Sequence, residues 1–491
     1  MTELSTITGE EPSGAAGSRS APEVLALVIA WAASEPGRVG EVAVVPPTRT
    51  SAAAVIGRGP AEPKDPERRL EFARHGPGAL DVQSPLQSRT ISRRQLRVHA
   101  RGVDSIGVEN VGRAKLAHNG APVSFADVAP GDTLRVGADL LLLCVKRPAW
   151  VRATGTLPRP MPFGLADPFG WVGESPSAWE LRRQIALLAP TAAHILVFGE
   201  SGTGKEHAAR ALHALSSRAE MPFVGRSAAT LPEGLIDSEL FGHARNYPNA
   251  GMPERPGLVG QAARGTLFLD EIAELPQALQ THLLRVLDGG EYQRLGESVA
   301  RVSDFRLLAA TNHPDRLRPE LAARLKVTLR LPGLNERIED IPLIALHLLR
   351  KIATDSPEFA ARIFPQADAR AVPRVSVRFV ERLLRHRYTT HVRELERALW
   401  TALTESRGDV LDGLGPPSQA PQPAPAPAAP PLSPRDVSSR AIADALAEND
   451  GNIEKTWRAL GLASRHVLTR LMTKHGLRRP SPGGGDGNQD G

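Results

Sequence analysis

The sequence predicts a multidomain protein: a β-sandwich, then an α/β domain with a mainly parallel sheet, then a small α-helical unit. Three observations carry this. Short apolar runs of strand length, separated by Gly, Pro and Asp turns, fill residues 22–148. Buried-type strands alternate with helical stretches over residues 168–408. A proline-dense stretch, Pro416–Pro434, then sets apart a compact C-terminal piece. At 491 residues the chain is too long for one core, and about three domains are expected.

Composition narrows the class. Hydrophobic residues at 41% and charged residues at 23% are ordinary for a soluble globular protein. With aromatics at only 4%, the cores must rely on Leu, Val, Ile and Ala. The single cysteine, Cys144, excludes an intramolecular disulfide and a zinc site built on thiolates. That usage fits a reducing cytosol, so a cytoplasmic location is expected. The net charge of +6 leaves room for a nucleic-acid partner. The apolar run Val24–Ala33 is too short to cross a bilayer and lacks a preceding basic segment. It is expected to be a buried strand, with no membrane association.

Each element follows in order. Residues 1–21, rich in Ser, Gly and Glu, are expected to be a disordered lead-in. Strands of the sandwich are predicted at Val24–Trp31, Val42–Val45, Ala53–Ile56, Leu96–His99 and Leu140–Val145. In the α/β part, strands at Ile195–Phe198, Thr266–Leu269 and Arg306–Ala310 alternate with helices at Glu206–Ser216 and Gln277–Leu287. Residues 409–434 form a Pro/Ala-rich linker, in which proline favours extended polyproline II. A helical unit over residues 435–479 and a Gly-rich disordered tail over 480–491 complete the chain.

The loop Gly199, Glu200, Ser201, Gly202, Thr203, Gly204, Lys205 lies between an apolar strand and a helix, the setting a phosphate-binding loop requires. Gly202 and Gly204 can turn their amides inward, while Lys205 and the helix N-terminus supply positive charge for the β- and γ-phosphates. Glu206 stands where a magnesium-ligating Ser or Thr is usual. A second signature, Thr266–Glu271, is an apolar strand ending in two carboxylates. Asp270 can hold Mg²⁺ through water, and Glu271 can polarise the attacking water. Loop and acidic pair together point to ATP hydrolysis, with ATP and Mg²⁺ bound.

These residues reach a family. GESGTGKE (Gly199–Glu206), SELFGH (Ser238–His243), GTLFLDEI (Gly265–Ile272) and AATN (Ala309–Asn312) resemble the AAA+ domain of sigma-54-dependent transcription activators. The resemblance covers about half the chain, implies a helical lid on the α/β domain, and makes Glu206 the family's habit. It implies that Thr311 and Asn312 sense the γ-phosphate. By the same resemblance Arg318 and Arg324 reach a neighbouring subunit's site, and Arg393 serves as the second sensor. A homo-oligomer, from dimer to hexameric ring, is implied, with RNA polymerase carrying sigma-54 as partner.

Three departures accompany the match. Ser227 replaces an asparagine that restrains the catalytic glutamate in the family. Tyr388-Thr-Thr-His391 stands where Trp-Pro-Gly-Asn is usual, which is expected to loosen the second sensor. The loop that grips sigma-54, GAFTGA in the family, reads Asn246-Tyr-Pro-Asn-Ala-Gly251 here. Its changed tip is expected to remodel sigma-54 polymerase weakly or not at all. The alternative is a DNA-binding regulator that hydrolyses ATP only to set its oligomeric state.

At the C-terminus, seven Lys or Arg and no acidic residue lie between Lys455 and Arg479. This is the charge footprint of a nucleic-acid binder. Ile453–Leu460, Gly461-Leu462-Ala463 and Ser464–His475 read as helix, turn and helix, and resemble the Fis-type helix-turn-helix. Asp450-Gly-Asn452 begins the first helix as that family expects. Leu460, Leu462, Val467 and Leu471 are predicted to fill its core. Arg465, His466, Thr469 and Arg470 are predicted to face the DNA groove, and Lys474 a phosphate.

At the front, Ile56-Gly57-Arg58, Ser92-Arg-Arg-Gln95 and Asn119-Gly120 resemble the skeleton of a forkhead-associated domain. That resemblance implies a phosphothreonine protein as partner, held by Arg58, Ser92 and Arg93. Gln95 replaces the usual histidine, and Ala114-Lys115 stands near the place of an asparagine. The stretch Pro60–Pro85 reads as an insertion.

Overall fold

The computed structural model describes residues 21–46, 53–61, 67–152, 161–365, 368, 371–413, 439–448, 453, 456–457 and 465–475. The expected lead-in up to residue 20, the linker from residue 414, and the tail lie outside them. The chain forms two compact units, residues 1–415 and 416–491.

The first unit opens with two sheets, one of eight strands and one of five. Leu25, Leu27 and Ile29 of one sheet meet Ile56, Leu96, Val98 and Val108 of the other in a shared core. The strands Glu23–Ala32 and Leu140–Pro148 pair antiparallel at the centre of the larger sheet. Strands of a two-layer sandwich usually alternate apolar and polar residues, because one face meets water. Here residues 24–32 and 140–145 are unbroken apolar runs because both faces are covered. Their other face (Ala26, Val28, Ala30, Leu141 and Leu143) enters a second core built mainly by helices after residue 340.

The stretch read as an insertion belongs to the sandwich. Arg68–Arg69 pairs in the smaller sheet, while Ala73–Gly76 and Ala79–Val82 extend the larger one. Leu70, Phe72 and Ala73 are buried, and this anchors the excursion. The sandwich also runs past Pro148, because buried Val151 is bridged to Pro77.

Five parallel strands follow, in the order Phe223–Ser227, Thr266–Asp270, Arg306–Thr311, Ile195–Phe198, Val327–Arg330. Strand Ile195–Phe198 turns Ile195 and Val197 toward the helices Pro176–Leu188 and Lys205–Ala214. Leu196 faces the opposite layer, which holds the Gln277–Gly289 helix. Helices on both faces explain why the central strands hold short apolar runs, Ile195–Phe198, residues 267–269 and residues 307–310.

The helices Ile341–Asp355, Pro357–Ile363, Val377–Arg385 and His391–Glu405 form the lid. Residues 409–413, assigned to the linker from sequence, belong to it. Leu411 is buried, its N–H donates to the Arg374 carbonyl at 2.8 Å, and its carbonyl accepts from Ser376 N–H at 3.0 Å. A buried leucine inside a polar stretch outweighs the composition around it.

At the junction of sandwich and α/β domain, the Glu174 carboxylate accepts from the Gly164 N–H at 2.7 Å and the Trp179 indole at 3.1 Å. Burial pushes its pKa up to about 7 from 4.5. The folded state therefore favours its neutral form. The stability this contributes is full below the unfolded pKa and is lost as pH rises through about 7. Glu174→Gln should remove roughly 1–2 kcal/mol of that pH dependence, measured by urea melts at about pH 5 and pH 8.

In the second unit the helices Ser439–Glu448 and Arg465–Lys474 pack through Ile442, Leu446, Leu468, Leu471 and Met472. Ile453, Trp457 and Val467 are partly buried against them. Of the expected core, Leu471 is buried and Val467 only partly so, while Leu460, Leu462 and Asp450–Asn452 lie outside the described residues. No helix among the described residues is long and apolar enough to cross a membrane.

Candidate nucleotide site

The phosphate loop is shaped by contacts that only glycine permits. Gly202 and Gly204 have φ of +80° and +96°. A Cβ on Gly202 would lie 2.2 Å from the Thr390 carbonyl, and one on Gly204 would lie 2.7 Å from the Trp171 ring. The loop is thus pressed between Trp171 and the start of the last lid helix. Gly204 caps the Lys205–Ala214 helix, so unsatisfied N–H groups point into the loop, where they suit anionic oxygens.

Lys205 extends back along the loop, and its ammonium donates to the carbonyls of Gly199 at 2.9 Å and Glu200 at 3.2 Å. Burial lowers its pKa from the ordinary lysine value, against the opposing pull of Asp270. Burial likewise raises the Asp270 pKa, against the pull of Lys205. Each charge is half desolvated and answered chiefly by the other, an arrangement suited to a phosphate and its cation. Magnesium held on a nucleotide needs only one or two carboxylates plus phosphate oxygens, and Asp270 fits that demand. Glu206 instead pairs with Arg210 at 2.7 Å, one turn along an exposed helix face.

Glu271 follows the strand with φ +53°, which turns its side chain away from the strand direction. Its carboxylate accepts from the Ser227 hydroxyl at 2.9 Å. The shorter side chain at position 227 therefore holds the glutamate. A carboxylate engaged in this way is less available to polarise water. We expect Ser227→Ala to raise basal ATP turnover about threefold with nucleotide affinity unchanged, measured by steady-state phosphate release.

The lid closes on the loop at four points. Val392 N–H donates to the Gly202 carbonyl at 3.2 Å, and Arg393 Nη1 donates to Ser201 Oγ at 2.9 Å. His391 Nδ1 accepts from Leu334 N–H at 3.2 Å, which leaves Nε2 to donate to the Glu200 carboxylate at 2.9 Å. Thr390 crowds Gly202, as above. The segment from Tyr388 to Arg393, expected to be loose, is therefore firmly held. Buried Tyr388 donates its hydroxyl to the Leu383 carbonyl, and Asn335 brackets its backbone on both sides. Thr311 ends its strand buried, with Oγ1 accepting from His313 N–H and its carbonyl from Gly199 N–H, while Asn312 is exposed beside it.

Residues 171–329 match the model of the Sigma-54 interaction domain. The transcriptional regulatory protein ZraR of Salmonella typhimurium is 35% identical over 334 residues, covering 66% of this chain and 72% of that one. The chain belongs to the sigma-54-dependent transcriptional regulators. The regulatory protein AtoC of Escherichia coli is 32% identical over 355 residues, covering 68% of this regulator and 74% of its own length. A solved structure of NtrX from Brucella abortus in complex with ADP is 28% identical, covering 63% and 70% of the two chains at a TM-score of 0.45. The match to the Sigma-54 interaction domain makes the central domain of this regulator an AAA+ ATPase module.

In this regulator Arg318 lies just before the Pro319–Arg324 helix and Arg324 ends it. Arg318 donates to Thr281 Oγ1 at 2.6 Å, and Arg324 forms an exposed ion pair with Asp288. Both partners belong to the Gln277–Gly289 helix, so within one chain neither arginine hydrogen-bonds the phosphate loop among the described residues. In the loop after SELFGH, Asn246 Oδ1 accepts from Gly251 N–H at 2.9 Å and closes a tight turn. The Tyr247 ring lies over Gly296, and Tyr247 and Met252 remain 38% and 37% exposed.

In the front sandwich the loops carrying Arg58, Ser92 and Arg93 are adjacent, joined by a 3.1 Å bond from Arg58 N–H to the Ser92 carbonyl. Gln95, fully buried, donates to Asn110 Oδ1 and the Ala114 carbonyl and accepts from Ser92 N–H. It pins the loops from below. Sequence reasoning missed Arg69, whose guanidinium donates to the carbonyls of Gly57 at 2.7 Å and Arg93 at 2.8 Å. Its place in an apparent insertion gave no signal. On the C-terminal helix, Arg465, Thr469, Arg470 and Lys474 are exposed. The Thr469 hydroxyl donates to the Arg465 carbonyl at 3.0 Å. The side chain of His466 lies outside the described residues.

Proposed function

We propose that this regulator is a cytoplasmic, ATP-driven, sequence-specific DNA-binding activator of sigma-54 polymerase, with signal input through its front sandwich. The observation that carries the reading is the joined site: Lys205 facing Asp270, Glu271 held by Ser227, and Arg393 reaching Ser201. When bound, ATP with Mg²⁺ supplies the phosphoanhydride that is cleaved. Lys205 and the loop amides hold its β- and γ-phosphates, Asp270 takes the cation through water, and Glu271 orients the nucleophilic water. Thr311 and Asn312 read the γ-phosphate, and Arg318 and Arg324 complete the site of the neighbouring subunit in a ring.

The same reading assigns a Fis-type helix-turn-helix to residues 435–479, with Arg465, His466, Thr469 and Arg470 toward base edges and Lys474 toward phosphate. It assigns phosphothreonine capture to Arg58, Ser92 and Arg93 in a forkhead-associated-like fold, with Arg69 bracing their loops.

The weak grip on sigma-54 expected from the lost Phe-Thr tip is not favoured. The matched domain spans the altered loop, and Tyr247 and Met252 give it an exposed apolar tip, the kind of anchor that dominates interface energies. The test is to trap the regulator with an ATP transition-state mimic and sigma-54. A stable complex lost in Tyr247→Ala supports activation. ATP turnover without any complex would leave ATP-dependent oligomerisation as the function.

A further inference from the structure

The outer face of the sandwich's larger sheet is not a surface. Ala26, Val28, Ala30, Leu141 and Leu143 pack into one core with lid residues such as Leu343, Leu346 and Leu384. Polar contacts surround this apolar seat. Thr133 Oγ1 and Arg135 Nε each donate at 3.0 Å to the two oxygens of Glu381, which is 5% exposed. Arg147 Nη1 donates to Glu339 at 2.8 Å, and Arg385 Nη1 donates to the Asn119 carbonyl at 2.9 Å. Glu381 and Arg385 lie one turn apart on the Val377–Arg385 helix, so a single helix face receives the sandwich.

That helix leads directly to the nucleotide loop. Beyond its end, the Glu394 carboxylate accepts from His386 Nε2, Thr389 N–H and Thr390 N–H, which ties the connecting turn to the next helix. His391 and Arg393, at the start of that next helix, make the contacts to Glu200 and Ser201. Glu381 and the loop are therefore joined by a continuous run of packed, hydrogen-bonded parts. Glu381 itself is a buried carboxylate with two donors, and loss of Arg135 would leave its charge answered only by the Thr133 hydroxyl.

We propose that the front sandwich controls nucleotide affinity by holding the lid against the phosphate loop through the Thr133–Arg135–Glu381 contact. This rests on the reading of the loop as an ATP site. Input to the sandwich then acts by shifting the lid, with no direct contact between the sandwich and the nucleotide. Linkage makes the effect reciprocal, so bound nucleotide also tightens the seat of the sandwich.

The test uses the full chain and three variants: Arg135→Glu, Glu381→Arg, and the double exchange. Binding of ATP carrying a fluorescent ribose group is titrated for each, with thermal melting as a check on folding. Each single variant is expected to bind at least about fivefold more weakly, and the exchange of charges to restore most of the loss. Lower melting temperatures with unchanged affinity would overturn the inference and leave the contact a structural buttress. A double variant as weak as the singles would also overturn it. If the wild-type chain bound no ATP, the nucleotide reading would fall and this inference with it; wild-type binding with indifferent variants removes this inference alone.

Discussion

Glu271→Gln binds ATP as tightly as the wild-type chain and turns it over at least about a hundredfold more slowly, the loss typical when a general base is removed. The amide is isosteric with the carboxylate and still accepts from the Ser227 hydroxyl, which donates here at 2.9 Å. Local geometry is thus retained while the charge that polarises water is gone. Lys205 and Asp270, which shape phosphate and cation binding, are untouched. Equilibrium titration with a fluorescent nucleotide and single-turnover phosphate release separate the two effects. Normal turnover in this variant would remove Glu271 from the chemistry.

The second large effect belongs to Arg324. In the isolated chain it sits in an exposed ion pair with Asp288, and such pairs contribute little because water screens them. It is therefore free to exchange Asp288 for a phosphate offered by a neighbouring subunit. Arg324→Ala is expected to lower turnover by roughly a thousandfold, the scale on which arginine fingers act. Wild-type activity should rise with protein concentration, and titrating in the variant should poison mixed assemblies more than dilution explains. A rate independent of both would place catalysis within one chain.

What could be read from the chain was what neighbours in sequence decide. The strand Ile195–Phe198, the turn that needs Gly202 and Gly204, and the helix starting at Lys205 are local consequences of apolar runs and glycine freedom. The acidic pair after Thr266 was legible for the same reason. The roles attached to these residues came from a motif whose members lie within a few positions of one another.

Tertiary structure decided what depends on distant partners. His391 meets Glu200 across 191 residues, and Thr133 meets Glu381 across 248. The departure Tyr388-Thr-Thr-His391 read as a loosening, because the two hydrogen-bond partners of His391, Leu334 and Glu200, were invisible from its own surroundings. The same holds for Arg69, in a stretch taken for an insertion, and for Leu411, in a stretch taken for a linker. The apolar face of Ala26, Val28 and Ala30 was legible as buried, but its cover was not. Periodicity records that a side chain avoids water, and says nothing about which of many apolar surfaces excludes it. Hydrophobic burial is non-directional; only the buried polar contacts, Glu381 with Thr133 and Arg135 above all, single out one partner and set the sandwich on the lid.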